Sequence, residues 1–326
     1  MWKFTMRRLL VMIPQLFALS VLIFFLAKAM PGDALTGLIT STPNLNPAAL
    51  EEQRQRLGLN DPVWVQYGNW LVQLAHGDLG KSYVHKISVT DLIGSRLGNT
   101  FFLGVVILVL TYLIAIPLGV LSGRYQHSLL DKTVVGYTYL SFATPLFILA
   151  LLLLYVFGFR LGWFPTSGSV DVGVEPGTWS YYVNKSYHLI LPAVTGALLS
   201  TTATIQYLRN EVIDTRLKDF VKTARSKGVP EGKIYSRHIF KNSLLPIAAF
   251  LGYDLTGVIA GNVFLESIFG YPGLGQLFLQ SITQRDFSVV NALVMISGFL
   301  ALLGTLLSDV ILSKVDPRIE LNREQV

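Results

Sequence analysis

The chain contains no cysteine and few charged residues. Each of these shortages excludes some classes of protein. Without cysteine there are no disulfides and no thiolate metal sites, so packing and backbone hydrogen bonds must hold the fold. Charged residues make up only 14% of the 326 residues, whereas hydrophobic residues make up 52%, which lies outside the usual balance of a soluble domain. The composition therefore predicts a membrane protein.

Histidine is also scarce, and its distribution weakens one rival class. The five histidines avoid the interiors of the apolar stretches and never stand at the spacing of metal ligands; they are His76, His85, His127, His188 and His238. A membrane-embedded hydrolase would need a nucleophile with a base, or a set of metal ligands. We therefore expect no catalytic residues and no metal site.

Six apolar stretches are each long enough to cross a hydrocarbon core, which takes about 20 helical residues. They cover approximately residues 9–29, 100–121, 134–159, 188–208, 244–265 and 289–312. The second and third contain no charged residue. The pattern predicts an all-α polytopic membrane protein with six transmembrane helices.

The positions of Lys and Arg predict the orientation. If the N-terminus is cytoplasmic, the inner segments hold 17 of the 26 basic residues, in keeping with the positive-inside rule. Nine of them lie in 209–243. Both termini are then cytoplasmic, 30–99 is the long outer segment, and 160–187 is a second outer loop with interfacial aromatic residues.

The stretch "AHGDLGKS" at 75–82 fits a permissive phosphate-loop pattern. A phosphate loop needs a preceding apolar strand and a helix whose N-terminal N–H groups hold the phosphates. Here the preceding "WVQYGNWLVQL" is helix-like, and the stretch falls in the outer segment, away from cytoplasmic ATP. We interpret it as a Gly-rich turn and expect no cofactor in this chain.

The outer segment carries its own helical pattern. "LNPAALEEQRQRLGLNDPVWVQYGNWLVQLA" begins at an Asn-Pro helix start and breaks at Gly58 and Asp61-Pro62 before a second amphipathic helix. We expect a small helical cap. Either it packs on the outer ends of the helices, which is the favoured interpretation, or it binds a ligand directly.

The inner segment 209–243 predicts a short helical elbow. One helix is expected through about Lys227, then a turn at Gly228-Val229-Pro230, then a second helix leading to Pro246. Val221, Ala224 and Ile234 would offer apolar contacts among basic residues. This suits docking against another protein, although the basic residues could equally serve lipid headgroups alone.

Several motifs in these segments resemble one family. "TARSKG" (223–228) followed by "RHIFKNSLLPI" (237–247) is similar to the cytoplasmic docking loop of binding-protein-dependent ABC transporter permeases, in the form of the oligopeptide, dipeptide and nickel branch. Lys222-Thr223-Ala224 replaces the family's Glu-Ala-Ala, and Leu245-Pro246 comes some five residues late, as in the peptide branch.

Three further stretches agree with the first, or B-type, permease subunit of that branch. "FLESIFGYPGLGQL" (264–277) resembles its outer signature, and "GDLGKS" resembles part of its outer segment. "SDVILSKVDPRI" (308–319) is similar to the sequence with which members of the family end, although Leu312 stands roughly where an aromatic residue is common.

The resemblance implies an architecture and a set of partners. It implies an N-terminal helix (1–30), an extracytoplasmic segment (31–98), a permease core (99–313) with the coupling loop at about 209–243, and a cytoplasmic tail (314–326). The chain would form half of a peptide pathway in the bacterial cytoplasmic membrane. Its partners would be a second homologous permease, two ATPases that hold the ATP and magnesium, an extracytoplasmic peptide-binding protein and membrane lipid, with no nucleic acid.

The resemblance also assigns residues. The ATPase-docking loop would include Val221, Thr223, Ala224, Gly228, Ile234, His238, Asn242 and Pro246. The outer signature would include Glu266, Pro272, Gly273 and Gly275.

Two polar residues in or next to the fifth stretch are candidates for the pathway. Asp254 lies midway along it, and leaving it against lipid would be costly, so it faces either the pathway or a neighbouring helix. Asn262 is the other candidate. The small residues of the fourth stretch favour tight helix packing over a polar lining.

Other functions remain open from the residues alone. A stand-alone secondary carrier or channel would more often show internal repeats or several mid-membrane charges. Nickel and glycosides are cargoes of similar permeases, and no residue identifies the cargo.

Overall fold

A computed structural model describes residues 2–29, 47–56, 58–82 and 84–315. Within these ranges the chain is helical and has no strand, apart from one isolated bridge between Lys81 and Ser88. The all-α class is therefore confirmed. The expected family ending at 316–319 and the start of the outer segment at 30–46 lie outside the described residues.

The described part of the chain contains fourteen α-helices, two of which have π-helical continuations. In chain order they are α1 Trp2–Ala29, α2 Pro47–Arg56, α3 Val63–Ala75, α4 Val89–Arg124, α5 Leu129–Ala143, α6 Leu146–Leu153 with a π-helical continuation Leu154–Arg160, α7 Trp179–Arg216, α8 Asp219–Ser226, α9 Glu231–Lys233 with a π-helical continuation Ile234–Ile239, α10 Phe240–Ser243, α11 Leu245–Ala260, α12 Val263–Ile268, α13 Leu274–Thr283 and α14 Phe287–Val315.

Four described helices are long and apolar enough to cross a membrane: α1, α4, α7 and α14. A fifth crossing arises if α5 and α6 with its continuation form one span, but they meet at a bend of 103°. The predicted crossing over 134–159 is therefore not one continuous helix, and it counts as a single span only if the bent pair crosses together. Pro145 explains the break, because its ring removes an N–H donor and disfavours helical backbone at Thr144, which has φ −99° and ψ 114°.

The predicted fifth crossing, 244–265, is also shorter as a helix than expected. α11 has 16 residues, fewer than the roughly 20 that a perpendicular span needs. Gly261 follows it in the left-handed region at φ +83°, where glycine meets no Cβ penalty. Among the described residues, length and composition thus identify four or five spans, and the sixth stays a prediction.

The described chain forms two compact units. One contains described residues up to 101 together with 259–267 and 272–302. An apolar cluster in this unit joins the first turns of α4 to α13 and the start of α14; its buried members are Val89, Leu92, Ile93, Leu274, Leu277, Val289, Ala292 and Leu293. α1 crosses α14 closely within this unit, since a Cβ on Gly298 would lie 2.1 Å from Leu19 Cδ2.

The other unit contains residues 102–258, 268–271 and the described residues from 303 onward. Its helices approach closely at glycines: a Cβ on Gly123 would lie 2.8 Å from Val212 Cβ, and one on Gly252 only 2.2 Å from the Ser308 backbone nitrogen. In α7, Thr195, Ala197 and Thr201 are buried. The expectation of tight packing by the small residues of this helix is confirmed.

Candidate functional site

The elbow, residues 217–243, begins differently from its prediction. α7 ends at Arg216 and α8 begins at Asp219, so the helix expected over 209–227 is two helices separated by Leu217 and Lys218. The end of α8 is as predicted. Gly228 has φ +73°, its N–H donates to Arg225 O at 2.9 Å, and the N–H of Val229 donates to Ala224 O at 3.2 Å. This pair of bonds is the Schellman helix end.

An ion pair closes the elbow on its exposed side. Arg225 Nε donates to Glu231 Oε1 at 2.6 Å, across the turn that contains Gly228 and Pro230. The hydrogen bond from Arg225 lowers the pKa of Glu231, and the pKa of Arg225 is raised in return. The turn is therefore held by backbone and side-chain bonds together.

The interior of the elbow is filled by its own side chains. Val221 and Ile234 are completely buried and Ala224 nearly so, in one cluster with Leu208 and Val212 of α7. This corrects the expectation that these three residues present apolar contacts to a partner. Burying them against α7 removes apolar surface from water within the same chain, so they set the shape of the elbow from inside.

The outward face of the elbow is mostly polar, with two apolar exceptions. Leu217 is 63% exposed and Phe220 is 41% exposed. Thr223 is exposed on the α8 face opposite Val221, with its hydroxyl bonded to Asp219 O at 2.9 Å. The sequence argument overlooked Leu217 and Phe220, although their place beside two buried helix positions could have identified them.

The second half of the elbow returns to the membrane helices. His238 is half-buried, and its carbonyl accepts a hydrogen bond of 2.6 Å from Asn242 Nδ2. The guanidinium of Arg124, the last residue of α4, lies 4.7 Å from the ring centre of Tyr235. The side chain of Pro246 falls outside the described part of the chain.

A buried carboxylate next to the elbow was not predicted. Asp131 of α5 accepts hydrogen bonds from Arg209 of α7 at 2.7 and 2.9 Å, and from the hydroxyl of Ser122 in α4. It also accepts from the backbone N–H of His127 at 2.8 Å. Asp131 thus joins three helices one to two turns from the point where α7 enters the elbow.

Asp254 has a defined partner. Tyr112 of α4 donates its hydroxyl hydrogen to Asp254 Oδ2 of α11 at 2.5 Å. Of the two roles considered for Asp254, this geometry supports hydrogen bonding to a neighbouring helix. A role in the pathway stays a prediction.

The outer signature is organised around a buried carboxylate. Glu266 is fully buried; its Oε1 accepts from Thr100 at 2.9 Å and its Oε2 from the N–H of Gln276 at 3.0 Å. A Cβ on Gly273 would lie 2.5 Å from Glu266 Cδ, and one on Gly275 would lie 2.7 Å from Val263 N. Both glycines are therefore required for the backbone to approach this closely.

Two further residues of this region have structural contacts. The carbonyl of Pro272 accepts a hydrogen bond of 3.0 Å from Asn99 Nδ2. Asn262 Oδ1 accepts from the N–H of Leu265 at 3.2 Å, so it caps the start of α12. This capping contact gives Asn262 a structural role, and a role of Asn262 in the pathway stays a prediction.

The stretch that resembles a phosphate loop is arranged differently from one. Gly77 and Gly80 are turn glycines with positive φ, and α4 begins only at Val89. Ser82 is buried and donates its hydroxyl hydrogen to Asp286. Among the described residues, moreover, no group of three or more His, Asp or Glu side chains could hold a metal ion.

The apolar spans, together with a charged elbow and a densely hydrogen-bonded segment around Glu266, are features of an integral membrane protein. Comparison with known families then identifies it. Residues 115–321 match the binding-protein-dependent transport system inner membrane component, and residues 1–104 match the N-terminal membrane component of the same systems. The chain belongs to this family of transport permeases.

Curated relatives cover almost the whole chain. It is 37% identical over 321 residues to the oligopeptide transport system permease protein AppB of Bacillus subtilis, covering 98% of this chain and 100% of that protein. It is 34% identical over 320 residues to the oligopeptide transport system permease protein OppB of Salmonella typhimurium, covering 98% and 99%. A putative peptide permease protein of Brucella suis is 32% identical over 321 residues, again covering 98% and 99%.

Proposed function

We propose that this chain is one of two related permease subunits of an ATP-driven importer. It forms half of the pathway for di- or oligopeptides that an extracytoplasmic binding protein delivers. The peptide relatives named above support this cargo, since they match this chain over nearly their full length.

The proposed topology has six crossings with both termini in the cytoplasm of a bacterial cell. The four long helices and the bent pair supply five crossings, and α11 with the segment after it supplies the sixth. The nine basic residues of 209–243 support a cytoplasmic elbow.

The elbow is the proposed docking site for one of two partner ATPases, and its self-contained core is the observation that carries the proposal. Because Val221 and Ile234 are buried against α7, the elbow keeps its shape without a partner and moves with the membrane helices. ATP-driven closure of the ATPases would displace Phe220 and Thr223 on its outward face. Coupling of this kind requires two states with different contacts at the elbow.

ATP and magnesium are proposed to bind in the partner subunits. The "GDLGKS" turn supports this division, because Ser82, where a phosphate loop would have its magnesium ligand, is engaged by Asp286. The energy for transport would then reach this chain mechanically.

Side-specific labelling tests the topology. Because the chain has no cysteine, Thr223→Cys and Glu175→Cys each introduce a single thiol at an exposed position. A membrane-impermeant maleimide should label Thr223→Cys only in inside-out vesicles and Glu175→Cys only in right-side-out vesicles. Labelling of Thr223→Cys from outside would refute the docking proposal.

The cargo is tested separately. The assembled importer should co-purify with its binding protein, and mass spectrometry of that protein's bound ligand should find peptides. A nickel complex or a glycoside there would refute the peptide assignment and leave the permease assignment standing.

A further inference from the structure

The amphipathic helix α3, Val63–Ala75, is in contact with a level of α1 that lies inside the apolar span. Ser20 Oγ and Tyr67 Oη are 2.9 Å apart, and the ring of Phe24 lies 5.3 Å from that of Tyr67 and 5.7 Å from that of Trp70. The sequence had favoured a cap over the helix ends. The contacts instead reach back along the membrane-crossing helix.

The depth follows from the rise of a helix. Phe24 and Ser20 precede Ala29, the last described residue of α1, by five and nine residues. At about 1.5 Å per residue these positions lie roughly 8 and 13 Å from that end, within the span Thr5–Ala29. The Tyr67 and Trp70 side chains of α3 therefore reach α1 below the end of its apolar span.

The composition of α3 suits that boundary. Its 13 residues include no charged side chain, but include two tryptophans and a tyrosine, which favour membrane interfaces. No residue of α3 is buried in the chain. Trp64 is 72% exposed and Val72 is 57% exposed.

The exposed surface of α3 includes an apolar stripe and a polar one. Trp64, Gly68 and Val72 follow one another at four-residue intervals on one face, and a Cβ on Gly68 would meet nothing within 4 Å. Asn69 and Gln73 form a polar stripe next to it. An apolar stripe beside a polar one, in a helix with two tryptophans and a tyrosine, favours a position in a lipid interface.

We propose that α3 lies in the outer leaflet of the membrane, with Trp64 and Val72 in contact with lipid acyl chains, and so anchors the extracytoplasmic segment to the bilayer. Lipid is the occupant because α3 contacts α1 at Ser20 and Phe24, on either side of Leu22, an apolar residue of the span that is 56% exposed. The proposal rests on α1 crossing the membrane and not on the cargo or the ATPases.

Spin labels attached to single cysteines test this. The full chain, in its assembled transporter, is reconstituted in vesicles of phosphatidylethanolamine and phosphatidylglycerol with Val72→Cys or the neighbouring Gln73→Cys. Leu22→Cys is the acyl-chain reference and Lys132→Cys the water reference. Collision rates with oxygen, which concentrates in lipid, and with a water-soluble nickel chelate are measured for each.

The label at residue 72 should show an oxygen-to-nickel ratio several-fold above that at residue 132 and close to that at residue 22, with residue 73 in between. A ratio at residue 72 equal to that at residue 132 would overturn the proposal in favour of water. Shielding of residue 72 from both reagents would overturn it in favour of a protein partner.

A second measurement avoids substitution at Val72. Lipids brominated on their acyl chains should quench part of the tryptophan fluorescence of the wild-type protein, and Trp64→Phe should remove a measurable share of that quenching. Equal quenching in both proteins would also overturn the proposal.

Discussion

Arg209 and Asp131 form a bidentate ion pair, with Nε to Oδ1 at 2.7 Å and Nη2 to Oδ2 at 2.9 Å, close to the point where α7 enters the elbow. The Asp131 side chain is 4% exposed and the Arg209 side chain 19%. Removing either partner leaves the other charge poorly solvated, which typically costs on the order of 3 kcal/mol.

A double-mutant cycle tests this pair. Asp131→Ala and Arg209→Ala should each lower the melting temperature in detergent, and the double variant should lose clearly less than the sum of the two losses. Strictly additive losses would show that the two residues act independently.

The two faces of the elbow should respond differently to truncation. Ile234→Ala removes a fully buried side chain and should cost about 2–5 kcal/mol of stability. Phe220→Ala removes an exposed ring and should change stability by no more than about 0.5 kcal/mol, while weakening co-purification of the ATPases. Unchanged ATPase binding by Phe220→Ala would show that Phe220 is not part of the docking surface.

The outer signature depends on a glycine at 273. In Gly273→Ala the added methyl group would lie 2.5 Å from both Glu266 Cδ and Thr100 Oγ1, so we expect a stability loss of about 1–3 kcal/mol. The matched control is Gly98→Ala in helix α4, where a Cβ meets nothing within 4 Å. This control should be neutral or stabilising by up to about 1 kcal/mol. Equal melting temperatures for the two variants would contradict the geometry.

Asp286 gives a pH-dependent prediction. Burial raises the pKa of Asp286, and the hydrogen bond from Ser82 opposes part of this rise. The unfolded carboxyl has a pKa of about 3.9, so the folded state binds the proton more tightly and loses stability as pH rises from about 4 through the folded pKa. Asparagine does not titrate, so Asp286→Asn should not lose stability in this way. The melting temperature of Asp286→Asn should therefore rise relative to that of the wild type between about pH 4 and pH 7.

A control variant extends the same argument. Ser82→Ala removes a hydrogen bond that lowers the pKa of Asp286, so its loss of stability should continue to higher pH than in the wild type. A constant difference between Asp286→Asn and the wild type across this range would contradict a raised pKa.

Local features of the fold could be predicted from the sequence. Apolar length identified the four long helices, and Gly228 marked the end of α8 because only glycine takes positive φ without a Cβ penalty. The bend at Pro145 was overlooked because the apolar run continues through it. A run of hydrophobic residues reports burial or lipid contact, and it does not report whether the backbone is straight.

Long-range contacts could not be predicted in the same way. The elbow pattern showed that Val221 and Ile234 are on an apolar face, but it did not show whether that face packs on α7 or on another chain. Glu266 and Thr100 are 166 residues apart, and nothing in the local pattern of either predicts their hydrogen bond. Such pairs depend on tertiary packing, which local periodicity does not encode.

The central claim is that ATP hydrolysed in other subunits moves this chain through its elbow. The most direct test is peptide uptake by proteoliposomes that contain the complete importer, with Gly228→Asp compared to Gly228→Asn. Asp and Asn are both tolerated at positive φ and nearly equal in size, so the two variants differ mainly in the charge placed on the elbow. We predict that wild-type uptake requires ATP and the ATPases, and that Gly228→Asp loses far more uptake than Gly228→Asn. Uptake by this chain without any ATPase, or full uptake by Gly228→Asp, would contradict the account.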